Sequence, residues 1–320
     1  RLQPDNEEGA LRACVACGGR SNASIVLRVL TGSEAPVAVI ATSLYQALPP
    51  GPGASADHVG AGRKLLSFAD SVQDAAFFAP YLARTYGRTV QRRLIWEALD
   101  KDDDALPLVA LATRLRKRAE REQVLEEDNP VQNRVTVLHW LTAEALAVDR
   151  RQSLDGIGLA EVTVKIPSNL SVPPVLTELG FSYDEARDLA RVLLDSLRLS
   201  AAVTVPEDVE IGDPIFSPRN IVTKVRQTGT EYGVLSWSPV KGMNRRLDYL
   251  TKVLATLNAP RDPRALLDEL WDKWFARKDG PWSSILTAEN HRTHGTVYAL
   301  HNEAIIVQAA SPDHRPYRCS

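Results

Sequence analysis

The stretch "GRKLLSFADSVQDAAFF", residues 62–78, decides the predicted fold. Its apolar run KLLSFA has the length of a strand, and Asp70 or Ser71 can cap a helix that begins with VQDAAFF. Strand, tight turn and helix make one half of a βαβ unit. Ligands of open parallel sheets lie at the carboxyl ends of the strands. We therefore expect this end of the strand to take part in catalysis or to contact nucleic acid; the residues there are Asp70, Ser71, Gln73 and Asp74.

Upstream of this stretch the sequence predicts a helix and then a linker. Ser33 can cap a helix over about 34–48, with Glu34 and Pro36 in its first turn, and PPGPG ends it. The following residues, to Gly62, are rich in Pro, Gly, Ser and Ala and show no periodicity. We therefore expect a domain boundary there.

Cysteine is used sparingly and in a spacing that suits a metal. Cys14 and Cys17 form a CxxC pair beside two glycines, and Cys319 is the penultimate residue. Tetrahedral zinc takes four ligands, so the Cys14 and Cys17 pair would be half of one zinc knuckle and Cys319 would begin another. The alternative is a pair of reduced structural or redox cysteines.

Charge dominates the segment between Leu94 and Asp128, where DKDDD is followed by RLRKRAEREQ. Both interpretations of this segment predict an exposed helix. In the first, ion pairs cover a solvated helix surface. In the second, the basic side chains contact phosphates; the candidates are Arg92, Arg93, Arg114, Arg116, Lys117 and Arg118.

A helix is predicted next, with an apolar face formed by Val137, Leu138, Leu141, Ala145 and Leu146 and an end at the glycines 156 and 158. His139 lies on this helix and is predicted to be a packed core residue.

The region 171–240 contains the clearest helical pattern in the chain. Ser182 and Glu185 make a capping box, and the apolar residues that follow recur at helical spacing through Leu197. A short helix, a Gly-Phe-Ser turn, this longer helix and the strand-like AAVTV resemble a helix-turn-helix with a wing. Because the longer helix carries at least as many acidic as basic side chains, we expect a structural winged helix rather than one that reads a DNA groove.

Helices and a hairpin are predicted in the region 241–320. NRRLDYLTKVLATL and DPRALLDELWDKWF read as helices, and the tryptophans of the second are predicted to be packing anchors. GTVYAL and AIIVQAA, separated by HNE, predict a β-hairpin. His291, His294 and His301 match no ligand spacing and are predicted to be loop residues.

Composition excludes one class of protein and leaves the others open. No run of about 18 apolar residues is present, so membrane insertion is not expected. We expect a cytoplasmic location. A net charge of −2 gives no global attraction to nucleic acid. Any binding of nucleic acid must therefore come from local clusters of Arg and Lys. The sequence contains no GxxxxGK[ST] phosphate loop, no GxSxG elbow and no HExxH pair, so this chain alone is not expected to hydrolyse ATP.

The phrase FADSVQDAA, from Phe68 to Ala76, resembles motif IV of superfamily 2 DEAD/DEAH-type helicases with a DUF1998 zinc-binding C-terminal region. The family phrase is close to FSDSRQDAA, from which this chain departs at Ala69 and Val72. The resemblance extends more loosely to the cysteine knuckle, to NRRLDYL and to the terminal YRC. It implies that Phe68, Asp70, Ser71, Gln73 and Asp74 belong to motif IV.

The resemblance also implies a function, a set of cofactors and a domain order. The chain would be an internal fragment of an ATP-dependent DNA helicase of repair or phage defence, with ATP and Mg²⁺ bound mostly outside it and Zn²⁺ at the knuckles. An internal fragment also agrees with a chain that begins at Arg1 and has its single Met at position 243. Partners would be DNA and other proteins of such a complex. A non-catalytic winged-helix and zinc DNA-binding or regulatory protein is the alternative, and an insertion that contacts only proteins is a third.

The expected fold is mixed α/β and mostly helical. Its predicted parts are a zinc-knuckle-like segment and helix (1–50), a linker (51–62), the start of a second RecA-like domain (63–98), a charged helical segment (99–170), a winged-helix-like segment (171–240), and a helical segment with a β-hairpin and the start of a second zinc knuckle (241–320).

Overall fold

The computed structural model describes residues 34–53, 59–65, 72–99, 104–126, 128–147, 153–217, 222–229 and 232–311. The chain divides into two compact units, one ending at Leu94 and the other running from Ile95 to His314. About half of the described residues are helical and the described strands form two small sheets, which confirms the predicted mixed α/β class. No helix in the described ranges is long and apolar enough to cross a membrane.

Two helices and one short turn are described in the first unit. Helix α1 spans Glu34–Ala47, as predicted, and a 3₁₀ turn spans Val59–Gly62. Helix α2, Val72–Ala98, starts directly after the predicted capping positions, contains Pro80, and continues into the second unit. Of the predicted strand KLLSFA, Lys64 and Leu65 lie outside any strand, and its other residues lie outside the described part.

The second unit is built from seven further α-helices and seven strands within the described ranges. The helices are α3 (Leu108–Arg121), α4 (Pro130–Ala145), α5 (Leu154–Ile157), α6 (Pro174–Glu178), α7 (Tyr183–Arg198), α8 (Arg245–Thr256) and α9 (Pro263–Leu270). The strands are β1 (Leu106–Pro107), β2 (Ala160–Val164), β3 (Lys224–Arg226), β4 (Val234–Ser236), β5 (Leu286–His291), β6 (Gly295–Leu300) and β7 (Ile305–Ala309).

The strands form one sheet of order β1-β7-β2 and another of order β4-β3-β6-β5. Every pair is antiparallel except β3 with β4. Helix α7 contacts both sheets through β2 and β6. Its apolar stripe (Ala186, Leu189, Ala190, Leu193, Leu194 and Leu197) is buried, so α7 is central to the core of this unit.

The predicted pairing of GTVYAL with AIIVQAA is wrong. These segments are β6 and β7, and they belong to different sheets. A 3₁₀ turn, Asn302–Ala304, separates the two strands. The hairpin is instead β5 with β6, in register from Leu286 opposite Leu300 to His291 opposite Gly295. His291 is accordingly the last residue of a strand rather than a loop residue.

The long helix predicted to end at the glycines 156 and 158 is two helices. Helix α4 ends at Ala145, and α5 begins after Ser153, whose hydroxyl accepts a hydrogen bond from the amide of Gly156. Gly158, with φ of 76°, ends α5 in the left-handed conformation that glycine adopts readily. The predicted apolar face of α4 and the core position of His139 are confirmed.

The capping box that starts α7 is present, because the Ser182 hydroxyl accepts from the Glu185 amide and the Glu185 carboxylate accepts from the Ser182 amide. The predicted AAVTV strand is reduced to a single parallel bridge between Val203 and Leu300. In the part of the chain that the structure describes, the segment after α7 therefore joins β6 through this one bridge.

Candidate nucleic-acid interface

The motif IV residues divide between described and undescribed parts of the chain. Phe68, Asp70 and Ser71 lie outside the described residues. Gln73 and Asp74 lie in the first turn of α2. This is the position predicted for them, directly after the turn that would follow the strand.

The predicted zinc ligands Cys14, Cys17 and Cys319 all lie outside the described residues. Within the described ranges, no three side chains of His, Cys, Asp or Glu are grouped so that they could hold a metal ion. The zinc knuckles therefore remain a prediction from the sequence.

The predicted basic residues lie on two helices. Arg92 and Arg93 are near the end of α2 and belong to the first unit, whereas Arg114, Arg116, Lys117 and Arg118 lie on α3 in the second unit. Helix α3 buries Leu108, Leu111, Ala112, Leu115 and Ala119. This apolar stripe fixes which of the basic side chains of α3 face solvent.

Carboxylates hold two of the predicted cations. Arg116 makes an ion pair with Glu120 at 2.8 Å. Arg118 makes ion pairs with Glu97 at 2.7 Å and with Glu122 at 3.1 Å. For these two arginines the structure contains the ion pairs that the first interpretation of this segment predicted.

Glu120 links α3 to the start of α4. It is 9% exposed and accepts a hydrogen bond at 2.9 Å from the side-chain amide of Asn133, which also donates to the Glu126 carbonyl. The hydrogen bond from Asn133 lowers the pKa of Glu120 below its ordinary value; burial opposes this shift, and the hydrogen bond and charge of Arg116 add to it. Glu120 is therefore a stable anion that keeps Arg116 in place.

The remaining cations of α3 form a stripe on its solvent face, which we call the α3 basic stripe. It consists of Arg114, Lys117 and Arg121, all exposed. Their spacing of three and four residues puts them on one side of the helix. Within the described ranges Lys117 and Arg121 have no carboxylate within ion-pair distance.

Arg121 was missing from the candidates chosen from the sequence. The signal was present, because Arg121 follows Lys117 by four residues and Arg114 by seven. The acidic residues on both sides of it, Glu120 and Glu122, concealed that signal. The structure shows that these carboxylates are directed to Arg116 and Arg118.

The arginines of α7 are all used inside the protein. Arg187 donates to the Pro167 carbonyl at 2.9 Å and lies over the Tyr183 ring. Arg191 pairs with Glu161 and Asp188. Arg198 is 1% exposed and pairs with Asp155 and Asp195.

With these contacts, α7 is a core helix and offers no row of cations to a DNA groove. The resemblance to a helix-turn-helix with a wing remains a prediction from the sequence. Comparison of the chain with protein-family models, with curated proteins and with solved structures gave no match.

Proposed function

We propose that this chain is part of an ATP-dependent DNA helicase or translocase, and that its second unit contacts the DNA backbone through the α3 basic stripe. Two features support the motor assignment. The phrase FADSVQDAA resembles motif IV, and helix α2 begins at Val72, within that phrase, as a strand-turn-helix start requires.

The observation that carries the DNA contact is the separation of charges on α3. Carboxylates hold Arg116 and Arg118 on the flanks, while Lys117 and Arg121 extend to solvent beside Arg114. Lys117 and Arg121 are one turn apart, about 6 Å along the helix axis, so together they can reach neighbouring phosphates, which follow one another every ~3.4 Å of axis along each strand of a duplex. Such a contact binds phosphates by charge.

The contact would be independent of base sequence. Backbone contacts position a protein on DNA, whereas reading of sequence needs side chains that reach base edges. The arginines of α7 bond to other groups of the protein, so they are not directed at base edges. A motor that moves along DNA requires such sequence-independent contacts with the DNA backbone.

ATP and Mg²⁺ would be bound mostly by parts of the motor outside this chain. A phosphate loop needs several backbone amides and a lysine in the order GxxxxGK[ST], and the sequence has no such segment. The chain on its own is therefore expected to bind DNA without hydrolysing ATP.

The alternative is a non-catalytic DNA-binding or regulatory protein, and the resemblance of the sequence around α6 and α7 to a helix-turn-helix favours it. The two proposals share the DNA contact and differ in the motor. The gene around this sequence separates them, because the helicase proposal requires an upstream reading frame that encodes a phosphate loop and an acidic Mg²⁺-binding box.

Neutralising the stripe tests the DNA contact. The double variant Lys117→Gln, Arg121→Gln should bind a fluorescein-labelled duplex of mixed sequence about tenfold more weakly than the unaltered chain at low salt, because it removes two of the cations that meet phosphates. Fluorescence anisotropy measures the affinity. Lys252→Gln, Lys273→Gln is a matched control, since both lysines are exposed and each has an acidic neighbour one turn away. Equal affinities of the two double variants would refute the proposed interface.

A further inference from the structure

The tip of the β5–β6 hairpin places two histidines against each other. His291 ends β5, Gly295 begins β6, and Arg292, Thr293 and His294 form the turn between them. Gly295 has φ of 67°, the left-handed conformation in which glycine commonly closes a three-residue hairpin turn. The rings of His291 and His294 are stacked, with centroids 4.5 Å apart and planes 20° apart.

The ring of His291 is also tied to the backbone of the turn. The Thr293 amide donates to Nδ1 of His291 at 3.3 Å, and the Thr293 hydroxyl lies at the same distance from this nitrogen. Nδ1 can accept the amide hydrogen bond only while the imidazole is neutral. Protonation at Nδ1 would turn this acceptor into a donor and release the Thr293 amide.

The charged groups near the stack lie on β5, on β3 and in the turn itself. Glu289 on β5 forms an ion pair with Lys224 of β3 at 2.6 Å, so the charges of these two groups cancel. Lys224, through its hydrogen bond and charge, lowers the pKa of Glu289, burial opposes the shift, and the charge of His291 adds to it. Arg226 follows Lys224 by two residues on β3, and Arg292 is exposed in the turn itself.

We propose that the hairpin tip, consisting of His291, Arg292, Thr293 and His294, is a second phosphate-contacting surface whose affinity for nucleic acid increases when its imidazoles are protonated. The partner that fits is a nucleic-acid backbone, since the turn offers a phosphate the exposed Arg292 guanidinium, the Thr293 amide and, once protonated, two imidazolium groups. This inference rests on the proposed DNA contact and adds a pH-dependent component to it.

The stack explains why protonation and binding should be linked, because it holds both imidazole rings close to one position, with centroids 4.5 Å apart. A phosphate of the nucleic acid attracts an imidazolium more strongly than a neutral imidazole, and it can accept hydrogen bonds from the released Thr293 amide and from Arg292. Binding should therefore be accompanied by proton uptake, and the affinity should rise as the pH falls.

The test measures binding of a labelled duplex to the full chain between about pH 7.5 and pH 5.5, the range in which histidine changes charge. Ionic strength is held constant. Uptake of one proton on binding changes affinity by up to about tenfold per pH unit, so the unaltered chain should bind about tenfold more tightly at the lower pH. His291→Gln, His294→Gln should lose this increase while keeping its affinity at the higher pH.

Two controls separate this inference from the proposed function. His301→Gln removes a histidine at the opposite end of β6 and should keep the pH dependence. Lys117→Gln, Arg121→Gln should weaken binding by a similar factor at every pH and keep the pH dependence as well. Circular dichroism checks that each variant is folded.

The outcomes are distinct. An unchanged pH dependence in His291→Gln, His294→Gln would overturn the hairpin-tip proposal and leave the α3 contact intact. An effect of the tip variant without an effect of the α3 variant would support the tip and refute the α3 contact. No duplex binding at any pH in this range would overturn both.

Discussion

Two arginines, Arg198 and Arg246, are buried in the second unit, and they are stabilised in different ways. Arg198 donates to both oxygens of Asp195, to Asp155 and to the Ala145 carbonyl. Arg246 donates to the carbonyls of Ser236 and Trp237 and to the Ser196 hydroxyl, and it lies 5.0 Å from the Trp237 ring. Burial lowers the pKa of Arg246 to about 10, so it stays charged at neutral pH.

The two carboxylates that hold Arg198 should differ in their effect on stability. Asp195 makes the shorter, bidentate contact, and Asp195→Asn should lower the free energy of unfolding by roughly 3 kcal/mol because it breaks a buried ion pair. Burial raises the pKa of Asp155 against the attraction of Arg198, so its charge is already costly. Asp155→Asn should therefore cost about 1 kcal/mol or less, since it weakens a single hydrogen bond of 3.3 Å and the amide oxygen can still accept from Arg198.

Denaturant unfolding of both variants measures this difference. Asp188→Asn is the control, since Asp188 is 64% exposed in its pair with Arg191 and its replacement should change stability by no more than about 0.5 kcal/mol. Equal costs for Asp195→Asn and Asp155→Asn would contradict the assignment of Asp195 as the principal partner.

Among the elements, the sequence predicted helices better than strand pairing. The starts of α2, α7 and α9 follow from local chemistry, such as the Asp262 side chain that accepts from the Ala265 amide at the start of α9. Strand partners depend on contacts far apart in the chain. Residues 286–291, LTAENH, are rich in polar side chains and gave no strand signal, yet they pair with β6, while β7 pairs with β1 and β2.

The link between α3 and α4 should make stability depend on pH. The pKa of Glu120 is below its ordinary value of 4.5 in the folded protein, so Glu120 contributes stability above that pH and the contribution disappears as the pH falls through the lower folded pKa. Glu120→Gln should be less stable at neutral pH and should lose less stability on acidification.

Thermal unfolding at several pH values below and above 4.5 checks this prediction. Glu126→Gln serves as the control, because the Glu126 side chain is exposed in the same loop and only its carbonyl is used by Asn133. If Glu120→Gln lost as much thermal stability on acidification as the unaltered chain does, the proposed role of Glu120 in linking α3 to α4 would be wrong.

For the whole molecule, the sequence was enough to predict the class, most helices and the charged character of α3. It was not enough to predict which cations face solvent. Arg116 and Arg118 were proposed as phosphate ligands, but Glu97, from another helix, and the intrahelical Glu120 and Glu122 hold them. The choice of partner for an arginine depends on where α2 and α3 meet within this unit, and no local pattern encodes that.

The two proposed phosphate contacts share one physical basis. Each places cations on an exposed edge of the second unit, while the acidic residues nearby are engaged in ion pairs or hydrogen bonds. A chain of net charge −2 can thus bind a polyanion locally without being basic as a whole. Binding of this kind is expected to depend strongly on salt.

The salt dependence of duplex binding shows whether the α3 basic stripe meets phosphates. The logarithm of the affinity should fall linearly with the logarithm of the salt concentration over roughly 50–200 mM, and the slope of Lys117→Gln, Arg121→Gln should be shallower by about 1.8, or about 0.9 for each neutralised cation that met a phosphate. The control Lys252→Gln, Lys273→Gln should keep the original slope. A slope that is the same in all three proteins would contradict the claim that the α3 basic stripe contacts the DNA backbone.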